Sequence, residues 1–329
     1  MPQASVIVPA YNGQATILET LKSLVAQTHQ DFEIVVVDDG STDETLAVVE
    51  QVQCPRLRLV RQANRGLAGA HNTGIAATDS PIIGFCDADD LWVPDKLERH
   101  LAHLEAESRV GISFSGSAFI DMAGHPIGLA QRPRLRDIDA AHVLKRNPIG
   151  NGSAPVMRRE ALESLRHRAP DPDDRDWWFD EEFRQSDDIE GWTRFAVLSE
   201  YRIEGIPGLL TRYRINLHGL SANTDVQYQT WERMLSKLAT IAPDLVARHG
   251  PAARAYQLRY LLRRAVSARD GEAAAALLTR LVRGSTAPLW SEPVKTIGTL
   301  GAAALLATAG ARVYAPLEAL FLTARRARL

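Results

Sequence analysis

The sequence predicts an α/β fold, with a mostly parallel, Rossmann-like sheet flanked by helices and followed by a C-terminal helical extension. Three observations indicate this architecture. Short β-branched runs alternate with helical patterns through residues 1–115. Most of these runs are largely apolar, as is typical of strands that are buried on both faces of a parallel sheet. From Val226 onward the composition changes to Ala, Leu and Arg with helical spacing, which indicates a separate unit.

The predicted elements follow one another in a regular order. The strands are predicted over 5–11, 32–39, 56–62 and 81–87, and the helices between them over 15–27, 42–53 and 67–77. A capping box of Ser41 with Glu44 predicts where the second helix begins. Pro94, at a first helical position, predicts the start of the next helix. A strand over 110–115 follows, and the pattern weakens after residue 121.

Charge is unevenly distributed along the chain. Residues 231–329 carry 15 Lys+Arg against 6 Asp+Glu, a balance of +9, and because the whole chain carries −2, residues 1–230 carry −11. Such an acidic first part would repel nucleic-acid phosphates, so we expect no nucleic-acid partner. The G-x-G-x-x-G of a dinucleotide-binding fold and the G-x-x-x-x-G-K-[ST] loop of an NTP hydrolase are both missing from the sequence.

Acidic residues cluster where the strand over 81–87 ends. Asp87, Asp89 and Asp90 occur within four positions, directly after an apolar run. Ligands of parallel sheets bind beyond the carboxyl ends of the strands. Carboxylate oxygens suit Mg²⁺ or Mn²⁺, whose shell phosphate oxygens can complete. The alternative is a solvated turn in which Asp90 caps the Pro94 helix, and the D-x-D pattern alone favours neither interpretation.

Four motifs occur in order at successive strand ends, namely "VIVPAYNG", "VVVDDGSTDET", "NRGLAGAHNTG" and "DADDLWVPDKL". As a set they resemble the N-terminal half of family 2 glycosyltransferases, which are inverting enzymes with the GT-A fold and nucleotide-sugar donors. The resemblance continues through "WFDEEF" and "SDDIEGWTRFA" to "YRINLHGLS". It implies a GT-A catalytic domain over 1–225, with a nucleotide-sugar half over 1–115 and an acceptor half over 116–225. The basic helical extension then covers 226–329.

The resemblance also implies roles for individual residues on the donor side. Pro9, Ala10 and Tyr11 match the loop that lies against the nucleotide. Asp39 matches the acid that accepts a hydrogen bond from the base, and Asp87 matches the residue near the ribose. Asn72 matches the Asn of the donor-binding motif, in which His71 stands where members commonly carry Arg. Charge support from an imidazole at that position is weaker and depends on pH.

The remaining roles concern the metal and the chemistry. By resemblance, Asp89 is the ligand of a Mn²⁺ or Mg²⁺ ion on the diphosphate, and His218 lies where some GT-A enzymes supply a further metal ligand. Asp188 matches the catalytic base, which takes the proton of the acceptor hydroxyl. Asp187 precedes it where the family more often has Glu. Asp90 is assigned only to helix capping.

The function implied is the inverting transfer of one sugar from a nucleotide-diphosphate sugar, usually a UDP-sugar, to an acceptor hydroxyl. The acceptor is expected to be a sugar, a glycolipid or a polyprenyl-linked sugar of polysaccharide or glycolipid biosynthesis. The Q-x-x-R-W signature of processive synthases is absent, which favours transfer of a single sugar. The alternative is a non-catalytic nucleotide-sugar-binding or scaffold protein with the same fold. The joint presence of Asp87, Asp89 and Asp188 argues against it.

The basic extension has two interpretations. Its apolar segment over 296–311 is sixteen uncharged residues between Lys295 and Arg312, short of the about 20 that a spanning helix needs. Apolar helices flanked by Arg favour attachment to an anionic membrane surface. The alternative is a helical bundle packed on the catalytic domain. The absence of a signal-peptide pattern and the presence of only two cysteines favour a cytoplasmic location, with the inner membrane face as the site of attachment.

Overall fold

A computed structural model of the chain describes residues 1–169, 175–215, 224–314 and 316. The chain divides into two compact units. The first comprises Met1–Val143 with Asn147–Gly219, and the second comprises Leu144–Arg146 with Leu220–Leu329.

The first unit begins with four parallel strands joined by helices. The strands are β1 (Ala4–Ala10), β2 (Phe32–Asp38), β3 (Leu57–Arg61) and β4 (Ile82–Phe85), and the helices are α1 (Ile17–Val25), α2 (Thr45–Glu50) and α3 (Gly66–Ala76). The strands lie side by side in the order β3-β2-β1-β4. All four therefore end at the same edge of the sheet.

The sheet continues with a mixed second half. The elements along this part of the chain are β5 (Leu91–Trp92), α4 (Lys96–Ala106), β6 (Val110–Ile120), β7 (Pro126–Gln131), α5 (Ala140–Lys145), β8 (Val156–Arg158), α6 (Arg159–Leu162), β9 (His167–Arg168), β10 (Asp176–Trp177), α7 (Asp187–Leu198) and β11 (Arg202–Arg214). β9 and β10 form a separate two-stranded sheet. Within the described ranges, the sheet continues from β4 in the order β8-β6-β11-β5. β8 is antiparallel to β4 and β6, whereas β11 is parallel to β6.

Both faces of β1, β2 and β4 are buried, whereas β3 at the edge of the sheet is only partly covered. Ile7, Val35 and Phe85 face one apolar cluster, while alternate residues such as Val6 and Val36 face the other. Side chains of successive strand residues point to opposite faces, so an unbroken apolar run supplies both clusters at once. The predicted mostly parallel sheet with flanking helices is confirmed.

Two predicted helix starts are wrong. The helix after Pro94 begins at Lys96, with Asp95 at the N-cap position. The second helix begins at Thr45, and Glu44 at its N-cap makes no side-chain capping bond. Ser41 accepts a hydrogen bond from the backbone N–H of Asn12 at 3.1 Å instead, so its hydroxyl ties two strand-end loops together.

The second unit consists of helices in its described part. They are α8 (Thr224–Ile241), α9 (Pro243–Ser267), α10 (Gly271–Val282), α11 (Ala287–Ser291) and α12 (Pro293–Ala309). Leu258, Leu261, Leu277 and Leu306 form part of its own apolar core. The predicted apolar segment lies mostly in α12. Across the ranges described, no helix combines the length and the apolar character needed to cross a membrane.

Candidate functional site

The loops after β1 and β2 lie side by side at the carboxyl edge of the sheet. The strands are in register up to Ala10 and Asp38, and the Asp39 N–H donates to the Ala10 carbonyl at 2.8 Å. Pro9 and Ala10 are buried at the end of β1, whereas Tyr11 is 53% exposed. The structure thus brings together the predicted nucleotide loop and the predicted base-binding acid. The Tyr11 ring beside them is exposed to solvent.

The Asp39 carboxylate is buried and organises the start of α3. Its Oδ1 accepts from Gln62 Nε2 at 2.6 Å and from the Arg65 N–H at 2.8 Å, and its Oδ2 accepts from the Gly66 N–H at 2.8 Å. Gly66 has φ +79°, a conformation that favours glycine. Asp39 therefore caps α3 and holds the loop beside Tyr11, and its Oδ2 retains a further lone pair for a ligand.

Asn72 has all of its amide hydrogen-bonding groups occupied by protein. Its Oδ1 accepts from the N–H groups of Trp178 and Phe179, both at 2.9 Å. Its Nδ2 donates to the Phe179 carbonyl at 2.8 Å and to Glu181 at 3.1 Å. These are the four hydrogen bonds that an amide can make. Asn72 consequently joins α3 to the segment before α7 and has no free group for a donor in this arrangement.

Asp87 lies close enough to Asp89 and to Asp188 for its charge to interact with both. Burial and then the Asp89 charge raise the pKa of Asp87 to about 6. Burial and then the Asp187 charge raise the pKa of Asp188 to about 7, and Asp87 contributes to the same shift. Asp188 lies in the first turn of α7, where its Oδ1 accepts from the Ile189 N–H at 2.8 Å. A carboxyl group with a pKa near neutrality is suited to general-base chemistry.

Arg214 holds the turn that carries the acids, and sequence reasoning gave it no role. The buried guanidinium donates from Nε to the Asp89 carbonyl at 2.7 Å. It also donates to the carbonyls of Asp121 and Met122 at 3.0 and 2.8 Å, and to the Glu19 carboxylate at 2.7 Å. In the sequence, Arg214 is only an Arg at the end of a strand. Arg residues at strand ends are also common on protein surfaces, so the position alone did not indicate a role.

The assignment of Asp90 to helix capping is wrong. Asp90 is fully buried, and its Oδ1 accepts from the Arg214 N–H at 2.9 Å. Burial and then the Asp89 charge raise the pKa of Asp90 well above its usual range. The side chain therefore fastens the "DADD" turn to β11, and α4 begins beyond its reach at Lys96.

His71 lies among the same acids. It is buried against Phe85 and Phe179, and its Nδ1 is 3.6 Å from Asp187 Oδ2. Neither ring nitrogen forms a hydrogen bond with the residues that the structure describes. Its electrostatic interaction with Asp87 and Asp188 lowers the pKa values of both acids, opposing the larger effects of burial and neighbouring acids. His71 thus occupies a central place in the acid cluster.

Tyr213 is a second residue that sequence reasoning missed. It lies on β11, paired with Phe119 of β6 and directly before Arg214. Burial and the charges of Asp90, Asp87, Asp89 and Asp188 raise the pKa of the phenol. The phenol is therefore close to the acids from both halves of the first unit.

The acid turn fits a divalent cation. Asp87 Oδ1 is buried and has no hydrogen-bond partner among the described residues, while the neighbouring Asp89 charge disfavours ionisation of Asp87. A cation bound here would give Asp87 Oδ1 a partner, and its charge would offset the repulsion between Asp87 and Asp89. In the described ranges no three His, Cys, Asp or Glu side chains converge as a metal site. His218 lies outside the described residues.

Comparison with known proteins identifies the family. Residues 5–166 match the sequence profile of the family described as "Glycosyl transferase family 2". The chain belongs to this family. A glycosyltransferase of Nostoc sp. (strain PCC 7120 / SAG 25.82 / UTEX 2576), itself uncharacterised, is 36% identical over 176 residues, which cover 49% of this chain and 52% of that protein.

Two further comparisons concern named activities. The UDP-Glc:alpha-D-GlcNAc-diphosphoundecaprenol beta-1,3-glucosyltransferase WfaP of Escherichia coli is 34% identical over 116 residues, which cover 35% of this family 2 chain and 46% of WfaP. The chain thus spans about half the length of these two relatives. The mannosyltransferase PcManGT of Pyrobaculum calidifontis, solved with GDP-Man and Mn²⁺, is similar with TM-score 0.56 and 26% identity, covering 93% of this chain and 87% of PcManGT. The fold is of the GT-A type.

Proposed function

We propose that this family 2 chain is an inverting glycosyltransferase that moves one sugar from a nucleotide-diphosphate sugar to an acceptor hydroxyl. The observation that carries the proposal is the meeting of Asp87, Asp89 and Asp188 in one electrostatic cluster. Two of these acids follow β4, in the half of the sheet that also holds Tyr11 and Asp39. The third opens α7, on the acceptor side of the sequence.

Asp188 is the catalytic base in this proposal. The acceptor hydroxyl must lose a proton as its oxygen attacks the anomeric carbon, and the Asp188 carboxylate takes that proton. The bond to the leaving diphosphate breaks on the opposite face of the sugar, so a single displacement inverts the anomeric centre. An α-linked donor then gives a β-linked product.

Asp89, with Asp87 beside it, would hold the divalent cation, Mn²⁺ or Mg²⁺. When bound, the ion supplies neutralising charge to the diphosphate that leaves. Arg214 keeps the Asp89 backbone in place, and Asp39 and Tyr11 hold the nucleotide at the other end. PcManGT, the similar mannosyltransferase, was solved with Mn²⁺. This supports the same use of a cation here.

The substrates follow from the relatives as part of the proposal. The donor is a UDP-sugar, as the name of WfaP suggests, although PcManGT was solved with GDP-Man. The acceptor is a sugar, glycolipid or polyprenyl-linked sugar, because WfaP is named for a diphosphoundecaprenol-linked acceptor. The product would enter polysaccharide or glycolipid biosynthesis.

The test is metal-dependent stabilisation by nucleotide sugars. UDP-glucose and GDP-mannose are each titrated into the full chain with Mn²⁺ or with a chelator, and the melting temperature is recorded. A ligand that binds the folded state adds a stability of RT ln(1 + [L]/Kd), which is about 2.7 kcal/mol at 100 times Kd. We expect one of the two sugars to raise the melting temperature, and the chelator to remove most of the rise.

We further propose that the second unit attaches the enzyme to the cytoplasmic face of an anionic membrane. Trp290, Val294 and Ile297 are 81%, 84% and 59% exposed, although side chains of this kind are usually buried. Lys295 lies between them in sequence and Arg283 precedes them. Exposed Trp and aliphatic side chains beside basic residues are typical of helices that lie in a membrane interface.

Replacing Trp290 and Val294 by Ser is therefore expected to weaken binding to vesicles that contain anionic lipid by about tenfold or more. The estimate follows because burying one such apolar side chain contributes roughly 1.5–3 kcal/mol. Cosedimentation with vesicles measures it. Leu198→Ser, at an exposed apolar position of the first unit, is the matched control and should bind as the wild type does. Equal vesicle binding by the wild type, the double variant and Leu198→Ser would contradict attachment.

A further inference from the structure

The order of the strands separates the two ends of a bound donor. Asp39 follows β2 and Asp87 follows β4, whereas β8, β6 and β11 continue the sheet beyond β4. Because β8 is antiparallel to β4, the loop before β8 lies at the same edge as Asp87. The carboxyl ends of β6 and β11 also lie at this edge. A nucleotide held between Tyr11 and Asp87 would thus direct its sugar toward the loop before β8 and toward the ends of β6 and β11.

The loop before β8 is built against Asp87. Asn147 Oδ1 accepts from the N–H groups of Ile149 and Gly150, both at 3.0 Å, which closes the loop on itself. Ser153 Oγ accepts from the Asp87 N–H at 2.8 Å. A Cβ added to Gly152 would lie 3.2 Å from Asp87 Oδ2, so glycine permits the close approach. The position of this loop is therefore fixed relative to the acid turn.

Asn151 carries an unsatisfied group in this fixed loop. The residue is 6% exposed, and its Nδ2 donates to Ser117 Oγ at 2.8 Å. Asn151 Oδ1 is buried, and no group in the described parts of the chain donates to it. Buried polar groups without a partner are rare in native proteins, and a ligand is one explanation for them.

Two aromatic rings lie two residues further along the sheet than Ser117, the hydrogen-bond partner of Asn151. Ser117 and Phe119 are on one face of β6, because alternate residues share a face. Phe119 is paired with Tyr213 of β11, and their ring centroids are 6.0 Å apart at an interplanar angle of 60°. The nearby acids that raise the pKa of Tyr213 include Asp188. The aromatic pair therefore lies on the same part of the sheet as Ser117 and close enough to the proposed base to interact with its charge.

We propose that Asn151, Phe119 and Tyr213 form the subsite for the transferred sugar, in which Asn151 Oδ1 accepts from a sugar hydroxyl and the two rings contact the pyranose. The inference rests on the proposed function and adds to it the residues that select the sugar. A site that hydrogen-bonds a substrate hydroxyl discriminates strongly against a ligand that lacks it. Aromatic faces give the apolar side of a sugar ring a contact surface.

The test compares a nucleotide sugar with its own nucleoside diphosphate. Whichever of UDP-glucose and GDP-mannose stabilises the wild type is titrated calorimetrically with Mn²⁺, alongside UDP or GDP. Asn151→Ala is expected to weaken binding of the nucleotide sugar about tenfold and to leave binding of the nucleoside diphosphate unchanged. Ser117→Ala removes the same internal hydrogen bond but keeps the amide, so its nucleotide-sugar affinity should stay within about threefold of the wild type.

The outcomes separate the subsite from the proposed function. If Asn151→Ala binds the nucleotide sugar as the wild type does, or loses both ligands in parallel, the subsite is overturned and the proposed function stands. If the wild type binds neither nucleotide sugar nor nucleoside diphosphate, both are overturned. A third variant, Tyr213→Phe, keeps the ring and should retain the preference for the nucleotide sugar, whereas Tyr213→Ala should reduce it.

Discussion

Replacing Asp188 by Asn is expected to lower the rate of sugar transfer by about 10²–10⁴-fold, the usual contribution of a general base. The carboxamide has nearly the same shape, but it cannot accept the proton of the acceptor hydroxyl. Binding of the nucleotide sugar should persist, because Asp188 is not assigned to hold the nucleotide or the cation. Turnover and calorimetric binding measured on the same preparation check both statements. Unchanged turnover would remove Asp188 from the chemistry.

The same substitution should not destabilise the protein at pH 8. In the folded chain the pKa of Asp188 is raised by burial and by Asp187 from its ordinary value of 3.8 to about 7. The folded state thus binds this proton more tightly than the unfolded state does. Ionisation of Asp188 therefore lowers stability as the pH rises from about 4 through 7. Asn carries no charge, so burial does not penalise it at pH 8. We therefore expect the melting temperature of Asp188→Asn at pH 8 to equal or exceed that of the wild type.

The pH dependence of transfer tests the same assignment. A base with a pKa near 7 is mostly protonated at pH 6, so the wild-type rate should rise between pH 6 and pH 8. Asp187→Asn removes a charge that raises the pKa of Asp188, and it should shift the midpoint of the profile to lower pH. A midpoint that stays where it is in this variant would show that another group controls the profile.

Replacing Arg214 by Met is expected to destabilise the first unit by about 3–5 kcal/mol, the usual cost of breaking a buried charged network. The guanidinium is buried, and its loss leaves the carbonyls of Asp89, Asp121 and Met122 without the donor that they have now. Chemical denaturation measures the change in the free energy of unfolding. Because the turn that carries Asp89 would also move, metal-dependent binding of the nucleotide sugar should weaken.

Arg212→Met is the matched control for this prediction. Arg212 is exposed and lies two residues earlier on the same strand, so its replacement should change the free energy of unfolding by no more than about 0.5 kcal/mol. If both substitutions had the same small effect, the bonds of Arg214 would not stabilise the turn. If Arg214→Met unfolded the chain, Arg214→Lys would provide a milder variant with the charge kept and the forked geometry lost.

The sheet and the strand-end acids were predictable from sequence because their signals are local. Unbroken apolar runs specify strands buried on both faces, and the carboxyl ends of parallel strands must share one edge. The position of Asp87 and Asp89 at that edge follows directly from the end of the strand that precedes them. The convergence of Asp188 on them depended on resemblance to the family, because no local pattern connects residues a hundred positions apart.

Other features of the site depend on contacts that no local pattern encodes. Arg214 meets the Asp89 carbonyl across 125 positions, and Asn72 meets the Phe179 backbone across 107. Asn151 lies in a stretch whose Pro and Gly content weakens any periodic signal. Conversely, Pro94 and Ser41 gave clear local signals for helix starts, and tertiary contacts placed both starts a few residues later.

The most direct test of the proposed function is the titration of the full chain with nucleotide sugars in the presence and absence of Mn²⁺, repeated on Asp89→Asn. The proposal predicts that UDP-glucose or GDP-mannose raises the melting temperature of the wild type only when the cation is present. It also predicts that Asp89→Asn loses most of that rise while remaining folded. A wild-type chain that neither sugar stabilises with Mn²⁺ or Mg²⁺ would contradict the proposal, as would a rise of equal size in Asp89→Asn.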